Sequence, residues 1–489
     1  MPLRLYNTRT RRVEPLQPLE PDHVRIYVCG LTPSAEGHLG HARSFLFFDV
    51  LRRYLEHPRN GYRVTFVKNV TDVDDRSIAT AAAEKTTFDV VIARHYASFR
   101  ASMAKLDVRE PDHEPFATQY VPQIVEMIGE LVERGYAYAS EDGVYYRVAA
   151  FQRYGALSGK NVDELLVGAR IAENEHKDDP LDFALWKFAK PGEPRWDSPW
   201  GAGRPGWHIE CSAMSRALLG VPFDIHGGGY DLVFPHHENE IAQSEPLMDA
   251  PPMAEVWVHG GLLNFDGRKM SKSLGNFEPI SALLERHDPL AIRLLFLQTG
   301  YRKPMNFTED SIAGATRSLQ RLTDQYQRAR ELREDGAPLG EEAEAVIAYR
   351  ERFFEQLDDD MNTAGGLGTI FDLAGDAGHY RDASVRGAAL DLIRDAFRIF
   401  GIEAALEREH RVAFDEGFVA RLRDRLGDAA ALNGAASPED AIAAVIDARN
   451  AARKGKDFAR SDLLRDALGA EGVQLHDGKD GTTWTRAGG

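Results

Sequence analysis

Hydrophobic and polar residues follow a strand, helix, strand order near the start of the chain. Residues 24–29 form a short apolar run that predicts a buried strand, and residues 44–55 have the apolar spacing of a buried helix. Residues 63–67 predict a second strand, and the polar run 69–76 follows it. This order indicates a βαβ unit with its working loops at the carboxyl ends of the strands.

A second α/β pattern follows a long interruption. The pattern is helical over 88–135, and 143–206 then has short strand-like pieces rich in Gly, Pro and Trp, which is typical of an insertion. The elements predicted next are a helix over 207–219, a glycine turn at 227–229, a helix over 235–248 and a strand over 256–259. Together the two patterns predict an α/β fold with a Rossmann-like catalytic domain.

The remainder of the chain is almost wholly helical beyond residue 280. Loop-forming composition interrupts it at 335–338 and again at 433–438. The length of 489 residues allows two to four domains. We therefore expect a helical bundle and then a small terminal domain.

Composition argues against several classes of protein. Lysine and arginine number 59 against 76 acidic residues, so the formal charge of -17 argues against a generally polyanion-binding surface. The two cysteines, Cys29 and Cys211, cannot build a disulfide-rich scaffold. Residues 1–12 lack an apolar signal segment, and no run of about 18 apolar residues occurs. We expect a cytoplasmic protein that does not enter the membrane.

The first chemical motif is His38-x-Gly40-His41, which lies between a predicted strand and a predicted helix. Two imidazoles three residues apart at a helix start can face one ligand, and the helix amino terminus favours phosphate. Gly40 leaves room for close approach of a nucleotide. Four residues alone are more often structural or a chance match.

The second motif is the loop Lys269-Met270-Ser271-Lys272-Ser273. Two lysines on a glycine-flanked loop can neutralise the charge that grows in a phosphoryl-transfer transition state. A solvated basic turn is the usual role of such a pair. Histidines at one lip and lysines at the other are what nucleotidyl transfer at the α-phosphate of ATP requires, so the two motifs together favour nucleotide activation.

The third group comprises Cys29, Cys211 and the run 234–240. His236 and Glu240 stand one helical turn apart and can both reach one ion. Thiolate, imidazole and carboxylate are all zinc ligands. In the alternative interpretation the cysteines are small buried apolar residues and the histidines are hydrogen-bonded in the core.

With these residues assembled, the chain resembles the cysteinyl-tRNA synthetases, a family of the class I aminoacyl-tRNA synthetases, over nearly its full length. The shared strings are 27–30, 38–41, 69–72, 206–214, 226–229, 234–240 and 269–273. The resemblance implies ATP-dependent ligation of L-cysteine to tRNA(Cys) through a cysteinyl-adenylate. It also implies one Zn²⁺ per chain that binds the substrate thiol, and Mg²⁺ that accompanies ATP.

The resemblance also assigns site residues. The implied zinc ligands are Cys29, Cys211, His236 and Glu240. The implied catalytic residues are His38, His41, Lys269 and Lys272, and the implied ATP-binding residues are His38, Gly40, His41 and Lys272. The implied residues of the amino-acid pocket are Gly30, Thr32, Thr71, Trp207 and His226.

Domain roles follow from the same resemblance. The expected domains are a catalytic domain 1–280 with a connective insertion at about 112–205, a stem-contact region 281–335, a tRNA-binding helical bundle 336–432 and an anticodon-recognition domain 433–489. The last domain carries candidate RNA-contacting residues, namely Arg449, Arg453, Lys454, Lys456, Phe458, Arg460, Arg465 and Trp484. A charge run of this kind is more often a solvated helix face.

One stretch departs from the family pattern. Between Thr32 and His38 the family usually carries a Tyr-Asp pair, whereas this chain reads Pro33-Ser34-Ala35-Glu36-Gly37. The aromatic and acidic groups expected at the lip of the site are therefore absent, and the four expected metal ligands are unaffected.

Two other functions compete with this interpretation. A cysteine ligase of mycothiol biosynthesis has the same catalytic fold and joins cysteine to an amino sugar, but it lacks the anticodon unit. A non-catalytic RNA-binding paralogue would have lost histidines, lysines or metal ligands. The chain keeps all of these and extends to residue 489. We therefore favour the tRNA ligase, and we expect a monomer.

Overall fold

The computed structural model of the protein describes residues 2–160, 176–265, 268–269, 278–331, 341–407, 417–430, 432, 435, 437–478 and 481–486. The chain forms two compact units, residues 1–406 and 407–489. Among the described residues, none of the helices combines the length and the apolar character needed to cross a membrane.

The described chain contains both α-helices and β-strands. The strands are β1 (Arg4–Asn7), β2 (Arg12–Pro15), β3 (His23–Leu31), β4 (Arg63–Val70), β5 (Ala137–Ala139), β6 (Gly143–Tyr146), β7 (Phe183–Phe188), β8 (Gly203–Pro205), β9 (Phe223–Gly229), β10 (Ala254–Gly260), β11 (Leu263–Phe265), β12 (Arg268–Lys269), β13 (Met305–Phe307), β14 (Val473–Gly478) and β15 (Gly481–Arg486). The helices are α1 (Leu39–Glu56), α2 (Asp75–Glu84), α3 (Phe88–Lys105), α4 (Val121–Glu133), α5 (Trp207–Leu219), α6 (Glu238–Ser244), α7 (Ile280–Arg286), α8 (Pro289–Leu297), α9 (Glu309–Glu331), α10 (Glu341–Asp358), α11 (Thr363–Ala377), α12 (Ala383–Phe400), α13 (Phe418–Leu426), α14 (Pro438–Lys454) and α15 (Phe458–Ala470).

A four-stranded parallel sheet forms the centre of the first unit. Its order is β10-β9-β3-β4, and every neighbouring pair is parallel. The strands are buried on both faces, which explains their nearly continuous apolar sequences. Helix α1 crosses from β3 to β4 and buries Leu46, Phe48 and Leu51.

An antiparallel sheet separates the two halves of the parallel sheet along the chain. Its order is β5-β6-β7-β8, and it lies between β4 and β9 in sequence. Its strands fall inside the expected insertion 112–205. Helices α9 to α12 then pack on one another at the end of the first unit. The expected fold class, a Rossmann-like catalytic domain with an insertion and a following helical bundle, is confirmed.

The second unit has its own apolar core. Helices α13, α14 and α15 pack together with the hairpin β14-β15, and the core includes Leu422, Val445 and Leu464. The boundaries predicted for the four domains stay predictions.

The glycine turn expected at 227–229 is wrong, because all three residues belong to strand β9. The first of them lies beneath helix α1. A Cβ atom on Gly227 would stand 2.2 Å from the Phe48 ring, so only glycine lets the helix pack this closely on the sheet.

Helix α2 was not predicted. It begins inside the polar run at 69–76, and Asp74 is its N-cap.

A buried ion pair joins the central helix α1 to later helices. Arg293 on α8 is fully buried and donates to the Asp49 carboxylate and to the carbonyl oxygens of Leu106 and Phe400. Burial alone would raise the pKa of Asp49, but Arg293 and Arg53 hold it below its ordinary value. The Asp49 carboxylate is therefore a charged group in the core whose stability depends on Arg293.

Replacing Arg293 with methionine should lower the free energy of unfolding by about 3 to 5 kcal/mol, because a buried carboxylate and two carbonyl groups lose their main donor. Denaturant unfolding followed by circular dichroism measures this. The control is Arg100→Met, which breaks an ion pair with Glu110 whose side chains are 51% and 58% exposed. That change should cost less than about 1 kcal/mol. Equal losses in the free energy of unfolding from the two variants would contradict a special stabilising role for the buried Arg293–Asp49 pair.

Candidate active site

The parallel sheet has a topological switch point between β3 and β9. From β3 the chain passes through α1 to β4 on one side, whereas β9 and β10 extend the sheet on the other side. Ligands of open α/β sheets bind in the crevice at the carboxyl ends of such strands. Cys29 and Gly30 lie near the carboxyl end of β3, and His226 lies in β9.

The four predicted metal ligands come together at this switch point. The Cys29 Sγ atom is 3.6 Å from the Cys211 Sγ atom and 3.3 Å from Glu240 Oε1. His236 Nε2 is 3.1 Å from the same carboxylate oxygen. One ligand atom from each of the four residues lies within 4.8 Å of the others, and all four residues are buried. Strand β3, helix α5, the helical turn Val233–His237 and the start of helix α6 therefore supply this set of donors.

A second donor set overlaps the first. Cys29, His226, His237 and Glu240 also lie within 4.8 Å of one another. His226 Nε2 is 2.8 Å from Glu240 Oε2, and His237 Nε2 is 3.3 Å from Cys29 Sγ. Sequence reasoning did not propose His237 as a ligand, although its position beside His236 was the available signal. Two sets of four ligands thus share Cys29 and Glu240.

The electrostatic environment of these donors suits a cation. Burial raises the pKa of both thiols and lowers the pKa of His236 and His237, so the rings are neutral near pH 7. Neutral imidazole is the form that binds metals. Thiol, imidazole and carboxylate groups in a tetrahedral set are the donors that zinc prefers, so the residues fit a zinc ion.

Further histidines orient these rings. His236 Nδ1 lies 2.9 Å from His208 Nδ1, and burial lowers the pKa of His208 to about 3. His237 Nδ1 lies 2.7 Å from His259 Nε2, and the other nitrogen of His259 lies 2.8 Å from the Thr8 hydroxyl. A metal held by His236 would leave the His236 Nδ1–H to donate to His208, and that hydrogen bond would fix the ring. Sequence reasoning did not identify His208 or His259 as part of the site.

His38 and His41 form the start of helix α1. The His38 ring accepts from the Gly40 N–H through Nδ1 at 3.1 Å, and the His41 ring accepts from the His38 N–H through Nδ1 at 3.3 Å. Both rings therefore carry their proton on Nε2 when neutral. The rings stack with centroids 3.7 Å apart. The motif is therefore a helix cap, and the phosphate-binding role of the two rings stays a prediction.

The lysine motif is described only in part. The Lys269 backbone belongs to β12 and pairs with Asn264 of β11. Lys272 lies outside the described residues. The proposed roles of both lysines stay predictions.

Of the residues expected in the amino-acid pocket, Trp207 and His226 contact the candidate metal donors directly. The Gly30 N–H donates to Asn69 Oδ1 at 2.8 Å, and Thr71 follows directly after β4. Thr32 is half-buried just beyond β3. The Trp207 indole is 41% exposed and stacks on His236 with centroids 4.2 Å apart, whereas His226 is fully buried and stacks on Trp257. An aromatic wall, a hydroxyl and the metal donors thus lie at one end of the sheet.

Residues 33–37, which depart from the family pattern, are held in place by hydrogen bonds of Glu36. Glu36 accepts from the Ser98 hydroxyl at 2.7 Å and lies 3.0 Å from His95 Nδ1, and both partners belong to α3. The Ser34 carbonyl oxygen lies 3.4 Å from the Thr80 hydroxyl of α2. This stretch therefore ties the entrance of the site to α2 and α3.

Several basic residues of the second unit form ion pairs within it. Arg449 is buried and binds Asp477 through two nitrogens at 2.8 Å each, and Arg453 binds the same carboxylate at 2.6 Å. Arg465 pairs with Asp462 and Asp466 on its own helix, and Arg460 donates to the Ala429 carbonyl oxygen. The exposed candidates for RNA contact are Arg453, Lys454, Lys456, Phe458, Arg460 and Arg465, while Trp484 packs partly against the core.

Two domain families match the chain. Residues 15–317 match the family described as tRNA synthetases class I (C) catalytic domain. Residues 352–404 match the DALR domain. The first match contains every predicted site residue, and the second covers most of the packed helices α10, α11 and α12.

Solved structures agree with the fold. The chain superposes on the Mycobacterium tuberculosis methionyl-tRNA synthetase bound by methionyl-adenylate with a TM-score of 0.59, at 15% identity, over 78% of this chain and 90% of that one. It superposes on the LeuRS–tRNA–LeuAMS ternary complex of Agrobacterium radiobacter K84 with a TM-score of 0.59, at 12% identity, over 81% and 86%. These likenesses establish the architecture alone.

Sequence relatives are similar over the full length. The cysteine–tRNA ligase of Geobacter sulfurreducens is 44% identical over 490 residues, which is 99% of this chain and 99% of the relative. The cysteine–tRNA ligase of Pseudomonas aeruginosa is 44% identical over 99% of this chain and 100% of its own length. The chain therefore belongs to the cysteine–tRNA ligase family of the class I aminoacyl-tRNA synthetases.

Proposed function

We propose that this protein activates L-cysteine with ATP and transfers the cysteinyl group to tRNA(Cys). The full-length similarity to cysteine–tRNA ligases carries the proposal. The cluster of thiol, imidazole and carboxylate donors at the switch point supports cysteine as the amino acid, because such donors suit a metal that binds sulfur.

We infer that Cys29, Cys211, His236 and Glu240 hold one zinc ion. Bound zinc would supply a Lewis acid that binds thiolate sulfur far better than a serine hydroxyl. The chain's own residues would then shape the pocket around that sulfur. His208 would accept from the His236 Nδ1–H and fix the ring, and Trp207 would cover it. Selection by the metal would make a separate editing site unnecessary.

The activation step needs donors around the α-phosphate of ATP. The carboxylate of cysteine attacks the α-phosphorus in line, and the bond to pyrophosphate breaks, which yields cysteinyl-adenylate and pyrophosphate. The Nε2–H groups of His38 and His41 would donate to phosphate oxygens from one lip. Lys269 and Lys272 would neutralise charge from the other lip, and Mg²⁺ would accompany ATP.

The transfer step releases AMP. A hydroxyl of the terminal ribose of tRNA(Cys) attacks the carbonyl carbon of the adenylate, the new ester bond forms, and the bond to AMP breaks. We retain the expectation that the helical bundle and the second unit bind the tRNA. A cytoplasmic location and a monomeric state also remain predictions.

Purified protein should exchange labelled pyrophosphate into ATP when cysteine is present, and the rate with serine should be lower by about 10,000-fold. Transfer of labelled cysteine to total tRNA tests the second step. An amino-sugar acceptor is assayed in parallel, because ligation to the sugar without charging of tRNA would favour the mycothiol-type ligase. No exchange with any amino acid would favour the non-catalytic paralogue. Equal exchange with serine and cysteine would contradict selection by sulfur.

A further inference from the structure

Arg43 is a buried cation to which the activities described above give no role. It lies in the second turn of α1, two residues after His41, and only 5% of its surface is exposed. Among the described residues it has no carboxylate partner, and burial lowers its pKa to about 10. The guanidinium group therefore stays charged near pH 7, and a buried charge needs partners of another kind.

The partners of Arg43 are five backbone carbonyl groups on two separate loops. Its Nη1 atom donates to the carbonyl oxygens of Gly261 and Leu262, just after β10, at 3.0 Å each. Its Nη2 atom reaches loop 300–303, between α8 and β13, and donates at 3.3, 3.4 and 2.6 Å to the carbonyl oxygens of Gly300, Tyr301 and Lys303. One planar group on α1 thus joins two segments that are far apart in sequence.

These two loops form the base of the hairpin that leads to the lysine motif. The Gly261 N–H donates to the Tyr301 carbonyl oxygen at 2.7 Å, which ties one loop to the other. Strands β11 and β13 then continue from the loops as a parallel pair. Strand β11 also pairs with β12, whose backbone includes Lys269. Arg43 therefore binds the chain at the point where the lysine hairpin begins.

Loop 300–303 has further anchors. The Tyr301 ring stacks on Phe47 of α1 with centroids 4.0 Å apart. The Tyr301 hydroxyl donates to Asp360 Oδ1 at 2.7 Å, and Arg302 Nε donates to Asp360 Oδ2 at 2.7 Å. Asp360 lies between α10 and α11. The loop is thus fixed to α1 by two residues and to the following helices by a carboxylate.

We propose that Arg43, through the loops that it binds, is a positioning residue that sets the lysine lip of the site relative to the histidine lip. This inference rests on the proposed function, in which donors from both lips neutralise charge on the same phosphates. One regular helix joins Arg43 to His38 and His41, so its five hydrogen bonds fix the lysine hairpin to the histidines. Phosphoryl transfer depends on such geometry, since a displacement of about 1 Å can lower a rate by about 100-fold.

The first test is Arg43→Lys, which keeps the positive charge and loses the planar fork that reaches both loops. In single-turnover experiments at saturating ATP and cysteine, the rate of adenylate formation should fall by about 10- to 100-fold. The affinity for cysteine, measured by isothermal titration calorimetry on the zinc-loaded protein, should change by less than about threefold. The reason is that the hydrogen bonds of Arg43 all go to the two loops. An unchanged rate, or equal losses of rate and affinity, would overturn the proposal.

A double variant separates positioning from a general loss of structure. In His38→Asn a donor of the histidine lip is missing, so the distance between the lips matters less. The loss of rate caused by Arg43→Lys should be at least about threefold smaller in that background than in the wild type. A purely structural effect would lower the rate by the same factor in both backgrounds, and that result would overturn the proposal.

Arg25→Lys is the matched control. Arg25 lies near the amino end of β3, and its two Nη atoms donate to the carbonyl oxygens of Leu219 and Pro222 at 2.7 and 3.1 Å. The change breaks the same kind of contact at the edge of the sheet opposite the site, so the rate should stay within about twofold of the wild type. A loss equal to that of Arg43→Lys would contradict a specific role for Arg43.

Tyr301→Phe decides the question if Arg43→Lys does not fold. It keeps the ring on Phe47 and removes the hydrogen bond to Asp360, so it loosens loop 300–303 without disturbing a buried charge. The rate of adenylate formation should fall by about three- to tenfold at unchanged affinity for cysteine. A wild-type rate in this variant would overturn the proposal.

The same measurements distinguish the two levels of inference. Wild-type protein that forms no cysteinyl-adenylate would contradict the proposed function itself. Wild-type protein that forms it, with an Arg43→Lys variant that keeps the full rate, would contradict only the role of Arg43.

Discussion

Cys211→Ala is expected to remove the bound zinc and to lower cysteine-dependent pyrophosphate exchange by about a thousandfold or more, which corresponds to about 4 kcal/mol. The thiol of Cys211 lies 3.6 Å from that of Cys29 in a cluster that also contains His236 and Glu240. Three remaining ligands hold zinc poorly, and the substrate sulfur then loses its anchor. Zinc content by elemental analysis and exchange rate are measured on the same preparation. His236→Ala should behave in the same way.

The overlapping donor set gives this prediction a specific alternative that it can be tested against. If zinc were bound by Cys29, His226, His237 and Glu240, Cys211→Ala would retain it and His237→Ala would lose it. The matched pair His236→Ala and His237→Ala therefore decides between two sets that share the same cysteine and glutamate. Full zinc content in both Cys211→Ala and His236→Ala would refute the ligand set that the sequence predicts.

His38→Asn should lower the rate of adenylate formation by about 100- to 1,000-fold and leave the thermal midpoint nearly unchanged. The His38 ring caps helix α1, because Nδ1 accepts from the Gly40 N–H, and its proposed second role is donation from Nε2–H to phosphate. Asparagine keeps an acceptor at the capping position and lacks a donor at the position of Nε2. Single-turnover measurements of pyrophosphate release give the rate.

The control for this variant is His38→Ala, which loses both roles. It should show the same kinetic loss together with a loss of stability of about 1 kcal/mol, the usual contribution of a helix cap. Zinc content should stay at the wild-type level in both variants, since the ring takes no part in the donor cluster. A normal rate of adenylate formation in His38→Asn would show that the motif acts only as a cap.

Local patterns predicted most of the elements around the site. The run at 24–29 and the apolar spacing over 44–55 correspond to β3 and α1, because both segments are buried on the faces that the pattern indicates. The helix predicted over 207–219 has the bounds of α5. The prediction of a turn at 227–229 was wrong because glycine is required at Gly227 by the Phe48 ring of helix α1. That contact is distant in sequence, and no local rule describes it.

The four residues expected as metal ligands lie together, whereas most of the side chains around them were not predicted. Their chemistry left a structural role open, and the resemblance to a family is what singled out these four. His208 and His259 contact the donor histidines through side chains on other elements, and the sequence does not contain those distances. The basic stretch of the second unit shows the reverse case, because the charge of Arg449 is visible in the sequence, whereas its burial and its pairing with Asp477 are not.

The close fit of Phe48 on Gly227 has a geometric consequence for catalysis. Helix α1 carries the two stacked imidazoles at its amino terminus, and β9 carries His226 beside the thiol-binding donors. The missing side chain on the strand thus sets the spacing between α1, which carries the proposed nucleotide-binding histidines, and β9. Gly227 has no reactive group, yet it fixes the distance between these two elements. Any side chain at this position would collide with the Phe48 ring.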